Sequence, residues 1–295
     1  MAAPRFQCVG LIGKYGDPGI GEALARLTEE LERRQVRVIW DAASGALPTR
    51  GDHQALPRER LGEACDLVIV VGGDGTLLNA ARTLADAGVP VAGVNLGRLG
   101  FLVDVSPDEM CDRLDEIFRG EYIEEERTLL HASVQRGGET VSESDALNDV
   151  VVHKWDIARM IDLETSVDGR FLNTHRADGL IVSTPTGSTA YALSGGGPIV
   201  HPTLGALVLV PICPHTLSDR PIVVADRARI EIVVHNGGHS QAQVTFDGQV
   251  NFALMSGDRI VVRKKPRALR LIHPPGYDYF HILRAKLRWG ENPQR

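Results

Sequence analysis

The chain has 295 residues, of which 43% are apolar and 24% are charged, which is enough material for one large or two ordinary domains with a sizeable core. Its formal net charge of −6 argues against a general nucleic-acid-binding protein, whose surface should be basic. No apolar run is long enough to cross a membrane, the amino terminus lacks a signal-peptide pattern, and the four cysteines form no CxxC pair, so we expect a cytoplasmic protein with reduced thiols.

The first part of the chain alternates strand-like and helix-like segments. Ala23, Leu24, Leu27 and Leu31 recur at helical spacing among charged residues. Ser106-Pro107-Asp108-Glu109 is a helix-start pattern, and residues 45–57 have the glycine and proline content of a loop. The other predicted elements are strands at Phe6–Ile12, Val36–Trp40, Leu67–Val71 and Val89–Val94 and a helix at Thr76–Ala87. This order predicts an α/β domain with a parallel sheet over residues 1–125.

The pattern changes near Tyr122. Short β-type runs separated by turn signals then predict a β-rich second domain over residues 126–278, with a hairpin turn at Asn236-Gly237. The runs are His131–Gln135, Ile161–Val167, Ile222–Val224, Ile230–Val234, Gln243–Phe246 and Asp258–Val262. The apolar tail, residues 279–295, is compatible with a return to either domain.

The sharpest motif is Gly72-Gly73-Asp74-Gly75, placed where a buried strand should turn into a helix. Three glycines there expose backbone N–H groups at a helix N-terminus, which favours a phosphate. A carboxylate at such a place suits Mg²⁺ binding or removal of a proton from an attacking hydroxyl. The alternative is an ordinary tight turn in which Asp74 only caps the helix.

Two further segments have polar groups at strand ends. Arg98 lies between glycines after the strand Val89–Val94, which suits a phosphate, although a surface arginine in a turn is equally compatible. The segment Asp178–Tyr191 leads from a strand into hydroxyl residues and on to Gly195-Gly196-Gly197-Pro198, a composition suited to ribose, amide and phosphate groups or to a capped loop. Tyr191 would pack on a base or in the core. His153, His175 and His201 lack metal-ligand spacing and are interpreted as surface or core residues.

Several functional classes lack their motifs. The chain contains no GxxxxGK[ST] segment, which disfavours a P-loop ATPase. It also contains no GxSxG, HExxH or paired-cysteine motif, so hydrolase and zinc-site interpretations have little support. The glycine-rich stretch Gly10–Gly21 follows the first strand but lacks the GxGxxG order, and a plain connecting loop explains it equally well.

In combination, these segments resemble the bacterial NAD kinases, the ATP-NAD kinase family. The motifs occur in that family's order between Val68 and Tyr279. The GGDG turn alone also occurs in diacylglycerol and sphingosine kinases and, in related form, in phosphofructokinases. The more specific parts are the later segments. They are Asn95–Leu102, Asn148-Asp149, Asp178–Tyr191 and Asp247-Gly248-Gln249.

The resemblance implies phosphoryl transfer from ATP to the 2′-hydroxyl of the adenosine ribose of NAD. Asp74 would be the general base, Gly72, Gly73 and Arg98 would meet phosphate, and a divalent cation, Mg²⁺ in most members, would take part. The family is homodimeric or homotetrameric, and its chain tail returns to the first domain. The residues implied to bind NAD are Asp74, Gly75, Asn148, Asp149, Arg159, Arg176, Asp178, Thr189, Ala190, Tyr191, Ala192, Leu193, Ser194 and Gln249.

Two alternatives compete with this prediction. A lipid kinase of the diacylglycerol or sphingosine type shares the glycine turn but gives no reason for Asn148-Asp149 or the hydroxyl segment. A dinucleotide-binding sensor without turnover would not need Asp74 to be intact.

Overall fold

The computed structural model describes residues 6–14, 18–44, 53–97, 100–155, 159–235 and 242–289. The chain divides into two compact units, the first formed by Met1–Glu126 with Leu269–Arg295 and the second by Arg127–Ala268. The chain therefore leaves the second unit at Leu269, earlier than the residue 279 expected from the sequence. Within the described residues, no helix has the length and apolar character needed to cross a membrane.

Strands and helices alternate in the first part of the chain, and strands predominate after it. Up to residue 127 they are β1 (Cys8–Gly13), α1 (Pro18–Arg33), β2 (Arg37–Asp41), β3 (Gln54–Leu56), α2 (Arg58–Ala64), β4 (Leu67–Gly72), α3 (Asp74–Leu84), β5 (Val91–Asn95), α4 (Met110–Phe118) and β6 (Ile123–Arg127). The next ones are β7 (Leu130–Arg136), β8 (Glu139–Ala146), β9 (Asp149–Lys154), β10 (Ile161–Val167), β11 (Arg170–Ala177), β12 (Gly179–Ser183), α5 (Tyr191–Ser194), β13 (Ala206–Ile212), β14 (Ile222–Ala225), β15 (Ile230–His235), β16 (Ala242–Phe246), β17 (Val250–Leu254) and β18 (Arg259–Lys264). The chain ends with β19 (Leu269–His273) and α6 (Tyr279–Leu287).

The first unit is built on a seven-stranded sheet in the order β3-β2-β1-β4-β5-β19-β6. β1, β2, β3, β4, β5 and β19 pair in parallel, which confirms the predicted α/β class. β4 is buried along its whole length, as its continuous apolar run predicts. Leu24, Leu27 and Leu31 of α1 pack in the same core as Met110 and Leu114 of α4.

Three local predictions for this unit need correction. The predicted loop over residues 45–57 contains β3, which the pattern does not reveal because Gln54 and Ala55 are exposed. Helix α3 begins at Asp74 instead of Thr76, and its predicted end at Ala87 is a separate 3₁₀ turn. Helix α4 begins at Met110, after a turn, because a β-bridge between Val94 and Val105 keeps the preceding chain extended. The capping contact of the predicted helix start is nevertheless present, since the Ser106 hydroxyl accepts the Glu109 N–H at 3.3 Å.

The second unit contains two six-stranded sheets, ordered β11-β10-β15-β18-β7-β8 and β14-β13-β12-β9-β16-β17. Their strand pairs are antiparallel, and the inner faces of both sheets share one apolar core. This confirms the predicted β-rich second domain, and each predicted strand run coincides with an observed strand to within one or two residues. The predicted hairpin turn Asn236-Gly237 lies outside the described residues.

The outer face of the second sheet is also covered. Val151 of β9 and Ile181 of β12 point outward and pack with Ala192 of α5 and Val200. Leu180 and Val182, the neighbours of Ile181, point into the core shared by the two sheets. Because β12 is buried on both sides, its sequence is a continuous apolar run, and the hydroxyl-rich segment that follows is held against the sheet.

Candidate functional site

The glycine turn of the first unit lies between β4 and α3. Gly72 ends the strand, Gly73 occupies the N-cap position in extended conformation, and Asp74 is the first helical residue. A Cβ atom at Gly72 would come within 2.6 Å of the Thr76 hydroxyl oxygen, so a side chain there would need the helix to shift. The interpretation of Asp74 as an ordinary helix cap is therefore wrong, because glycine holds the cap position.

The Asp74 carboxylate is oriented by another loop. Its Oδ2 atom accepts a hydrogen bond from the Phe101 N–H at 2.8 Å, and Oδ1 accepts one from the Leu102 N–H at 3.0 Å. A Cβ atom at residue 100 would lie 2.1 Å from Asp74 Oδ1, so Gly100 is needed for this close approach. The side chain stays partly exposed, and each oxygen keeps a lone pair for a further partner. This anchored, accessible carboxylate is suited to accepting a proton.

The loop after β5 is tied back to the glycine turn. The buried Asn95 side chain accepts a hydrogen bond from the Gly97 N–H at 3.0 Å, and the Leu96 N–H donates to the Gly72 carbonyl at 3.3 Å. Arg98, the predicted phosphate contact, lies outside the described residues and stays a prediction.

The second unit contains a pocket of about 400 Å³ in which several predicted residues meet. Four of them line it, from β9 and from the segment that enters α5. The lining residues are Asn148, Asp149, Val151, His153, Ala190, Tyr191, Thr245, Asp247 and Gly248. Tyr191, one of the lining residues, is 47% exposed and is therefore not a core residue. His153, interpreted from the sequence as a surface or core histidine, is half-buried and also lines the pocket.

The backbone of Asn148-Asp149 is fixed from two sides. The Asp247 carboxylate accepts hydrogen bonds from the N–H groups of Asn148 and Asp149 at 2.7 and 3.2 Å. On the other side, the Thr184 N–H donates to the Asn148 carbonyl at 2.9 Å. A Cβ atom at Gly187 would lie 2.1 Å from that same carbonyl oxygen. Asp247 is predicted only as part of the family segment Asp247-Gly248-Gln249, and nothing in the sequence links that segment to residue 148.

Asp149 lies in an unfavourable place for a charge. Its side chain is only 4% exposed. Burial, and secondarily the nearby Asp247 carboxylate, raise the pKa of Asp149 from its ordinary 3.8 to about 7. Near neutral pH, Asp149 is therefore partly protonated and partly ionised, so it can donate a hydrogen bond to a hydroxyl or amide group or accept one from it.

Most hydroxyls of the segment after β12 have structural roles. The Ser183 hydroxyl donates to the Thr184 carbonyl at 2.9 Å, and the Ser188 hydroxyl donates to the Pro185 carbonyl at 2.6 Å while it accepts from the Val200 N–H. The Thr184 hydroxyl donates to the Leu147 carbonyl at 2.6 Å. These buried groups shape the segment, and Ala190 and Tyr191 are the residues by which it lines the pocket.

Other predicted binding residues lie outside the pocket lining as described. Asp178 forms an ion pair with Lys154 at 2.7 Å, while Arg159, Arg176 and Gln249 are exposed. Within Thr189–Ser194, the Ala192 side chain belongs to the apolar cluster on the outer face of the sheet, Thr189 and Leu193 are half-buried, and Ser194 is exposed. Among the described residues, no group of three or more histidine, cysteine, aspartate or glutamate side chains is arranged to hold a metal ion.

Both halves of the chain match family models. Residues 9–122 match the ATP-NAD kinase N-terminal domain, and residues 147–274 match the ATP-NAD kinase C-terminal domain. The chain is 50% identical to the NAD kinase of Halorhodospira halophila over 97% of this chain and 94% of that protein, and 51% identical to that of Chromohalobacter salexigens over 96% and 97%.

Two solved structures are also similar. The crystal structure of yeast NADH kinase complexed with NADH superimposes with a TM-score of 0.88 at 26% identity, covering 99% of this chain and 90% of that one. The NAD kinase of Archaeoglobus fulgidus in complex with ATP gives a TM-score of 0.74 at 29% identity, covering 95% and 98%. These four proteins are all NAD or NADH kinases. The chain belongs to the ATP-NAD kinase family, which confirms the resemblance inferred from its motifs.

Proposed function

We propose that this protein is an NAD kinase, which transfers the γ-phosphoryl group of ATP to the 2′-hydroxyl of the adenosine ribose of NAD and releases NADP and ADP. The observation that carries the proposal is the anchored, partly exposed carboxylate of Asp74 at the glycine turn, in a chain that is 50% identical to an NAD kinase over 97% of its length. The relatives crystallised with NADH and with ATP support both substrates.

In this mechanism Asp74 takes the proton of the 2′-hydroxyl. The ribose oxygen then attacks the γ-phosphorus in line, and the bond to the β-phosphate oxygen breaks, so that ADP leaves. The backbone of the turn at Gly72 and Gly73 is assigned to phosphate, and Arg98 is assigned to the same task by its place between glycines. That Asp74 and the NAD-binding residues act in the same reaction is inferred from the family to which the chain belongs.

We assign the pocket of the second unit to the dinucleotide. Asn148 and Asp149 offer an amide and a carboxyl group with a fixed backbone, and the exposed Tyr191 ring offers an aromatic face. The remaining NAD-binding assignments follow from the family and stay predictions. They are Gly75, Arg159, Arg176, Asp178, Thr189, Ala190, Ala192, Leu193, Ser194 and Gln249.

A divalent cation, Mg²⁺ by preference, is part of the proposal as a companion of ATP. The described residues of the chain contain no cluster of three metal-ligating side chains, whereas Mg²⁺ in kinases is commonly held by one or two carboxylates, substrate phosphates and water. Substrate phosphates and water would therefore supply most of the ligands of the cation. When bound, the cation would neutralise phosphate charge, while Asp74 remains the group that handles the proton.

The test is a phosphoryl-transfer assay with two donors and several acceptors. Labelled ATP or inorganic polyphosphate is incubated with NAD, NADH, diacylglycerol or sphingosine, with and without Mg²⁺, and the labelled product is identified. We expect label on NAD and a requirement for the cation. Label on a lipid alone would replace the proposal by a lipid kinase, and NAD binding by calorimetry without any transfer would replace it by a sensor.

We also propose that the protein is a homodimer or homotetramer in the cytoplasm. Light scattering during size-exclusion chromatography measures the assembly directly, and a mass of one chain at working concentration would contradict it.

A further inference from the structure

The turn between β16 and β17 holds a carboxylate against three consecutive backbone amides. Asp247 Oδ2 accepts from the Leu147 N–H at 3.0 Å, and Oδ1 accepts from Asn148 at 2.7 Å and from Asp149 at 3.2 Å. In return, the Asp247 N–H donates to the Asp149 carbonyl at 3.0 Å. The carboxylate thus takes up the donors of the three residues that precede and begin β9.

The backbone of Asp247 is adapted to this role. Its φ angle is +52°, in the left-handed region that most side chains avoid but aspartate and asparagine tolerate, and Gly248 follows with φ +64°. This conformation turns the chain between β16 and β17 and brings the carboxylate to the start of β9. Both Asp247 and Gly248 also line the pocket with Asn148 and Asp149.

We propose that Asp247 is a positioning residue for dinucleotide binding: its carboxylate fixes the backbone of Asn148 and Asp149 in the pocket that all three residues line. The inference rests on the proposed function, because it assumes that the pocket takes NAD. Asp247 acts through its neighbours, since the amides that its carboxylate holds include those of Asn148 and Asp149.

The negative charge of Asp247 also acts on the Asp149 carboxyl. The titratable groups that line the pocket with Asp149 are His153 from β9, Tyr191 from α5 and Asp247 from the turn after β16, while β12 places Ser183 opposite Asp149. Of these, Asp247 is the one that raises the pKa of Asp149, after the larger effect of burial. Removing the Asp247 charge should therefore lower that pKa.

The test uses Asp247→Asn, which keeps the size of the side chain and suits the left-handed backbone but replaces one acceptor oxygen by a donor. Calorimetry measures the affinity for NAD, and carbon-13 NMR of aspartate-labelled, ligand-free protein follows the titration of Asp149. We expect affinity for NAD to fall roughly tenfold to a hundredfold, the KM for ATP to stay unchanged, and the Asp149 midpoint to move to lower pH.

The matched control is Asp168→Asn. Asp168 has the same φ of +52°, precedes Gly169, and accepts the Arg229 N–H at 2.8 Å, but it lies in the β10–β11 turn and does not line the pocket with Asn148. This control should leave NAD affinity unchanged. If Asp247→Asn fails to fold, Asp247→Gly removes the carboxylate while it relieves the backbone strain of the turn.

Each outcome decides. Unchanged NAD affinity in the Asp247 variant, an Asp149 midpoint that does not move, or an equal loss in the Asp168 variant would overturn the inference. A different result would overturn the proposed function and, with it, the binding part of this inference. In that case the Asp149 midpoint differs between the wild type and Asp247→Asn, but the wild type binds no NAD.

Discussion

Gly100 lies so close to Asp74 that a Cβ atom at residue 100 would come within 2.1 Å of Asp74 Oδ1. The next two residues, Phe101 and Leu102, donate their N–H groups to the two carboxylate oxygens. The carboxylate that follows β4 is therefore oriented by the loop that follows β5. The carboxylate that we propose as the general base and the loop that orients it therefore come from different connections of the sheet.

Gly100→Ala should impair turnover without removing the catalytic group. The added methyl forces the Asp74 carboxylate away from its position, and a displacement of about 1 Å can cost about 100-fold in rate. We expect kcat to fall at least tenfold, with a smaller loss of affinity for NAD, which calorimetry measures. Gly97→Ala is the matched control, because a Cβ atom there meets nothing within 4 Å. Normal kcat in the Gly100 variant would contradict the aiming role of the loop.

Asp74→Asn should abolish most activity and keep the fold. Loss of a general base lowers the rate by about 10²–10⁴. The amide also leaves one of the two backbone donors unsatisfied, which costs about 1–3 kcal/mol. A steady-state assay and a thermal melt together should show a large fall in kcat and a melting temperature only a few degrees lower. Wild-type turnover in this variant would remove Asp74 from the mechanism.

The stability of the protein should depend on pH through Asp149. The pKa of Asp149 is about 7 in the folded protein, against an ordinary 3.8. Between these two pH values the folded protein keeps a proton that the unfolded chain has released. The stabilisation that comes from this retained proton is fully present below pH 3.8 and is lost as pH rises through about 7. One pKa unit is worth about 1.4 kcal/mol, so the change amounts to a few kcal/mol.

Asp149→Asn tests this directly, because the amide stays neutral at every pH. Thermal melts at about pH 5 and about pH 8 should show the variant gaining stability relative to the wild type at the higher pH. Parallel pH dependence in the two proteins would show that Asp149 ionises normally in the fold.

The cysteines should differ in reactivity. Burial, and then the neighbouring Cys8, raise the pKa of Cys65 to about 12, and the two sulfur atoms lie 3.8 Å apart. Cys213 is exposed. Since the thiolate is the reactive form, iodoacetamide should modify Cys213 in the native protein and Cys65 only after unfolding. Peptide mass spectrometry over a time course measures both, and equal native rates would contradict the burial of Cys65.

Much of the architecture could be predicted from local patterns. The continuous apolar run of β4 is typical of a strand buried on both faces, and Leu24, Leu27 and Leu31 indicate one buried side of a helix. Such patterns are visible in the sequence because each helix or strand must bury its own apolar surface. The short strand β3 escaped prediction for the converse reason, since its two exposed residues carry no burial pattern.

The sequence by itself determined the fold class, the glycine turn and the family, because these depend on residue types at short spacing. The tertiary structure alone decided that Gly100 aims Asp74 and that Asp247 fixes Asn148 and Asp149. Each of these contacts joins segments brought together by strand pairing or by a loop between strands: Asp247 lies beside Asp149 because β16 pairs with β9. Distances across a sheet are set by strand order and register, and a linear sequence read alone does not contain them.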